Sequence, residues 1–172
     1  MSSNSRMMRT VCGLVLLIAA AVSGYNLYLM YSITDEEAKS IGKIVFEAYN
    51  RTKSPNDPEI PEGAEKTPQG ITLVKETVQS KPLLRLAGLL ILIWGGWNLL
   101  EHTGKKVAVV LSFLIMLLSV AFMFMTDETY TAVLNSPALS RLAFGDTLWS
   151  ITVFPGLLAS VYGWYLSLDR NF

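Results

Sequence analysis

The chain has 172 residues, 51% of them hydrophobic and 16% charged, with 14 basic and 14 acidic residues and a formal net charge of +0. That balance excludes a nucleic-acid binder, which needs a clustered basic face. Apolar residues gathered in long blocks, rather than spaced around helix faces, exclude an ordinary soluble domain. The single cysteine, Cys12, excludes an internal disulfide and any paired-thiol redox chemistry.

Residues 1–10 form a polar N-terminal segment, with Arg6 and Arg9 beside the first apolar run. From Val11 to Met30 only Ser23 and Asn26 are clearly polar, and residues 11–33 are predicted as the first transmembrane helix. A signal peptide would also have a basic start and small residues such as Ala20, Ala21, Ser23 and Gly24. The apolar run continues through Tyr25, Leu27, Tyr28, Leu29 and Met30, which favours a membrane helix.

Residues 34–82 read as an extramembrane loop. Thr34 stands three residues before Glu37, a capping box, and the acidic Asp35-Glu36-Glu37 turn suits a helix N-terminus. Ala38, Ile41, Ile44, Val45, Ala48 and Tyr49 then recur at three- and four-residue spacing, predicting an amphipathic helix to about Asn50. Its apolar face is expected on the bundle or in the headgroup region. Ser54 to Gly70 holds Pro55, Pro58, Pro61 and Pro68 and is predicted as an extended polar loop. Asn50-Arg51-Thr52 matches the three-residue N-glycosylation acceptor pattern. Ile71-Thr72-Leu73-Val74 reads as a short strand or as the lead-in to the next helix.

Residues 83–100 and 107–125 are two apolar runs joined by the tight basic turn 101–106, Glu101-His102-Thr103-Gly104-Lys105-Lys106. At 1.5 Å per residue each run crosses a hydrocarbon layer of roughly 30 Å. So short a turn makes the two helices antiparallel neighbours. Arg85, Trp94, Trp97, Trp149 and Trp164 are expected as interfacial anchors. Residues 126–147 form a second extramembrane loop. In it Asn135-Ser136-Pro137 starts a short helix to Phe144 lying on the membrane surface, and Gly145-Asp146 breaks that helix. Residues 148–168 are the fourth transmembrane helix, bent at Pro155, and 169–172 are the tail. Gly156, Ala159, Ser160 and Gly163 make a small-residue stripe, the predicted helix-packing interface.

Four spans put both termini on one side. Arg6, Arg9, Lys105, Lys106 and Arg170 lie in little chain there, while the basic residues of the long loop are diluted and matched by acids. Density therefore predicts an integral membrane protein of the plasma or an inner membrane, with both termini cytoplasmic and residues 34–82 on the opposite side.

Chemistry is sparse. No acid stands in the middle of a span, and Arg85, Glu101 and His102 lie near span ends, where anchoring outweighs proton relay. His102 is the only histidine, so no metal or cofactor is expected. Phosphate-binding, dinucleotide-binding and nucleophile-elbow motifs are missing, as are the paired-cysteine loops of some four-span families. The polar intramembrane residues Asn26 and Asn98 are more suited to bonding a neighbouring helix than a substrate.

The expected fold is an all-α membrane protein, a four-transmembrane-helix bundle with a short amphipathic helix and a Pro-rich loop between its first two spans. The expected function is a non-catalytic accessory or scaffold subunit. Its partners would be other membrane subunits or itself, in the lipid bilayer and without nucleic acid. The alternative is a small oligomeric transporter or channel, with Asn26, Asn98 and the Pro155 bend lining a path.

Overall fold

The computed structural model describes residues 3–80, 82–101, 106–125 and 128–168. The turn residues His102 and Lys105, the loop residue Asp127 and the tail 169–172 lie outside them. Every regular element among the described residues is helical. These are α1 (Ser3–Tyr31), α2 (Asp35–Thr52), α3 (Pro68–Val78), α4 (Pro82–Leu100), α5 (Lys106–Met123), α6 (Glu128–Leu134) and α7 (Ser140–Leu168), with 3-10 turns at Ala64–Lys66 and Pro137–Leu139. Four helical stretches, those containing α1, α4, α5 and α7, are long and apolar enough to cross a membrane.

The chain divides into two units. The first holds α1 through Leu27, α4, α5 and α7 from Gly145. Its core gathers Cys12, Leu16 and Ala19 of α1, Leu92 and Leu99 of α4, Val109 and Met116 of α5, and Val153 and Ala159 of α7. Missing side chains let the backbones meet. A Cβ on Gly13 would stand 2.8 Å from the Gly96 carbonyl oxygen, and one on Gly96 would stand 3.0 Å from that of Gly13. Backbones that approach so closely gain dispersion contacts along the two helices. Arg9 meets Leu166, and a Cβ on Gly156 would stand 3.6 Å from the Ala19 Cβ, so α1 and α7 run antiparallel within this unit.

The second unit takes the chain from Tyr28 through α2 and α3, and adds α6 and the start of α7 to Phe144. The Thr34 cap forms as its sequence predicts: the Thr34 hydroxyl accepts from the Glu37 amide, and the Glu37 carboxylate accepts from the Thr34 amide. The apolar face of α2 is covered within this unit. Ala38 and Ile41 pack with Ile33, Val74 of α3 and Leu139. Leu139, expected on the membrane surface, is fully buried there.

Three further expectations are corrected. The extended reading of residues 54–70 fails at its end, and the strand option for Ile71–Val74 fails with it. Proline is costly in helix interiors but suits a first turn, and Pro68 opens α3 behind Thr67, whose hydroxyl accepts from the Gly70 amide at 3.0 Å. Gly145-Asp146 does not break the chain, because α7 is continuous from Ser140. A helical glycine costs only about 1 kcal/mol, and Gly145 is buried inside the helix. The helix also passes Pro155 without interruption.

Candidate functional site

Among the charged side chains, two arginines near helix starts carry the geometry. Arg141 sits in the first turn of α7, in the second unit. Its Nε and Nη2 donate to the two oxygens of Glu37 at 3.1 and 2.8 Å, a forked pairing that a lysine cannot make. Nη2 also donates to the Ser32 carbonyl at 3.0 Å, and Nη1 to the Ser32 hydroxyl at 3.3 Å. Ser32 follows the last residue of α1, where carbonyls have no helical partner and the helix dipole is negative. One guanidinium therefore closes the C-terminal end of α1 and neutralises the carboxylate that caps α2.

The Glu37 side chain is 10% exposed and that of Arg141 37%. Burial pushes the Glu37 carboxyl up. The hydrogen bonds from Arg141 and from the amide and hydroxyl of Thr34 outweigh it and hold the group below its ordinary range. Beside it, exposed Asp35 is held low by the hydrogen bond and charge of Lys75, and half-buried Lys39 is pushed up by Glu36.

Arg9 makes the counterpart in the first unit. It stands beside the first apolar run in the sequence; in the fold it is 2% exposed, and its Nη2 donates to the carbonyl of Leu166. Leu166 lies in the last turn of α7, so this cation too meets the negative end of a helix. Each of the two longest helices thus carries, near its start, an arginine that closes the other's C-terminal end. The sequence signal was slight: Arg141 is the only charge between Asn135 and Phe144, but nothing in its spacing names Glu37 or Ser32.

Other polar residues in the apolar helices bond backbone carbonyls. Asn98, 6% exposed, donates to the Trp94 carbonyl at 2.8 Å. Ser112 donates to the carbonyls of Ala108 at 2.9 Å and Ile91 at 3.2 Å, tying α5 to α4. Ser160 and Ser167 donate to Leu157 and Gly163. Asn26 is half-buried on α1.

The small-residue stripe faces inward. Gly156 meets Met116 and Ala19, Gly163 meets Leu99, and Ala159 and Ser160 are buried. Leu157, beside the stripe, packs on the same core, whereas Leu158 is 71% exposed. Among the expected anchors, Trp94, Trp97 and Trp164 present exposed rings, and Trp164 stacks on Phe113 with centroids 6.2 Å apart. Trp149 instead packs against the core, and Arg85 is half-buried.

Among the described residues no three of His, Cys, Asp and Glu come close enough to share a metal ion. A shallow, open depression of about 380 Å³ lies on α3 between Pro68, Gln69, Thr72, Leu73 and Glu76. No family model matches the chain, nor does any curated protein or solved structure resemble it significantly.

Proposed function

We propose that the chain is a non-catalytic accessory or scaffold subunit of a larger integral-membrane assembly, bound to other membrane subunits or to further copies of itself. One observation carries this reading: Arg9 and Arg141 close helix ends within the chain, and Glu37 is held by a cap and an arginine. Groups so engaged are poor proton carriers or substrate ligands, but they make a fixed framework. The long apolar helices form a four-helix membrane bundle. The α2–α3 unit, with its own small core, is the extramembrane part that a partner reads.

In this proposal both termini face the cytoplasm and residues 34–82 lie on the opposite side. Exposed Arg6 and Lys106, at the two helix starts on the terminal side, support it. The test is the mass of the complex extracted from native membranes in a mild detergent. A stoichiometric complex with unrelated chains is expected. A closed homo-oligomer that also carries solute flux in reconstituted vesicles would replace this reading with a transporter.

A further inference from the structure

Asn50-Arg51-Thr52 forms the last turn of α2 and plays no part in the proposed function. Asn50 is half-buried, and its carboxamide makes two bonds to one residue ten positions on. Nδ2 donates to the Ile60 carbonyl at 2.9 Å, and Oδ1 accepts from the Ile60 amide at 2.9 Å. The pairing has a local cause. Ile60 precedes Pro61, and a residue before proline favours extended backbone. Extended backbone turns the N–H and C=O of one residue to the same side, the arrangement that pairs strands. A carboxamide edge offers the matching donor and acceptor. Inside the strap, Asp57 accepts from the Ser54 amide at 3.2 Å, and Lys53 donates to the Asp57 carbonyl at 3.3 Å. The Thr52 hydroxyl, the other half of the acceptor pattern, donates back to Ala48 at 3.0 Å.

We infer that this clamp and an N-linked glycan on Asn50 exclude each other, so that Asn50 in the closed fold carries none. Both bonds to Ile60 use one edge of a planar amide: Oδ1 and the Nδ2 hydrogen on the oxygen's side. Glycosylation joins Nδ2 to the anomeric carbon of a sugar carried on a lipid diphosphate. The bond from that carbon to the diphosphate oxygen breaks, the diphosphate leaves with its electron pair, and one Nδ2 proton is released. The product is a secondary amide, which prefers trans geometry and so sets its carbon substituent on the oxygen's side. The sugar carbon therefore stands where the hydrogen accepted by Ile60 stood. A chain modified before folding loses this bond and keeps its strap open.

The test expresses the full chain in a glycosylating eukaryotic cell and purifies it in detergent. Pro58→Thr creates an acceptor at exposed Asn56 and reports that the transferase reaches the strap. Trypsin cleavage at Lys53 and hydrogen exchange at the Ile60 amide are read for wild type, Thr52→Ala and Asn50→Asp. Thr52→Ala removes the acceptor pattern and keeps the clamp, so both readouts match those of unmodified wild type. Asn50→Asp sets an oxygen against the Ile60 carbonyl, and cleavage rises about fivefold or more, as loss of one hydrogen bond implies. Any glycosylated fraction is cut as fast as Asn50→Asp. A glycosylated fraction as resistant as unmodified chain overturns the inference. So does unchanged cleavage in Asn50→Asp, or an Ile60 amide that exchanges freely in wild type, a measurement that needs no variant.

Discussion

Replacing Arg141 by Leu removes both bonds to Glu37 and both to Ser32 while keeping most of the side chain's apolar bulk. Exposed ion pairs contribute about 0–1 kcal/mol, and breaking a buried one costs about 3–5 kcal/mol. This pair lies between, with a nearly buried carboxylate and a guanidinium more than a third exposed. The Thr34 amide and hydroxyl stay on Glu37 at 2.8 and 3.0 Å, so the orphaned carboxylate keeps part of its solvation. The expected loss is about 2 kcal/mol, or an opening population about 30-fold larger. All four tryptophans, Trp94, Trp97, Trp149 and Trp164, belong to the first unit, so tryptophan fluorescence is blind to the change. Hydrogen exchange over α2 and α3 is the suitable assay. Arg141→Lys recovers only part of the protection, because an ammonium cannot fork. Exchanging the two residues, Glu37→Arg with Arg141→Glu, does not rescue, because the Thr34 amide needs an acceptor at 37. Unchanged exchange over α2 in Arg141→Leu refutes the role assigned to the pair, and rescue by the exchange refutes the dual role of Glu37.

Acid weakens the second unit in a defined direction. Glu37 is held below its ordinary value of 4.5, so its contribution is complete above that value and is lost as pH falls through the lower folded value; α2 exchange followed from pH 6 downward shows the loss, and Glu37→Gln flattens it. In the first unit, Arg9→Leu costs about 2 kcal/mol by leaving the Leu166 carbonyl without its charged donor, read as an earlier tryptophan transition in denaturing detergent. Gly13→Ala costs about 1–3 kcal/mol, because the new methyl meets the Gly96 backbone, which cannot yield as a side chain would. Gly88→Ala, with open space around it, is neutral or gains up to about 1 kcal/mol of helix propensity. Single cysteines at exposed Asn4 and Lys106 resist a membrane-impermeant thiol reagent in intact cells and one at Asp57 reacts, against low background from buried Cys12; the opposite pattern reverses the sidedness.

The sequence by itself determined the elements whose cause is local. Apolar run length placed the four long helices, because runs of that length exceed an ordinary strand and are read as helices. The Thr34–Glu37 cap was legible because both partners lie within one turn. The smoothness of the Gly156–Gly163 stripe was legible too, but not that Met116, Ala19 and Leu99 of the same chain fill it. Only the tertiary structure decided what joins residues far apart in sequence. Arg9 read as a flanking charge, and its burial depends on the Leu166 carbonyl 157 positions away. Arg141 falls in the short helix predicted to Phe144, where nothing nearby in sequence pairs with it, and Glu37 is 104 positions before it. The continuity of α7 through Gly145 and the turning of α2 toward α3 were likewise tertiary. A single glycine or an apolar helix face has weak preferences of its own, and it takes the conformation and the neighbour that bury the most surface.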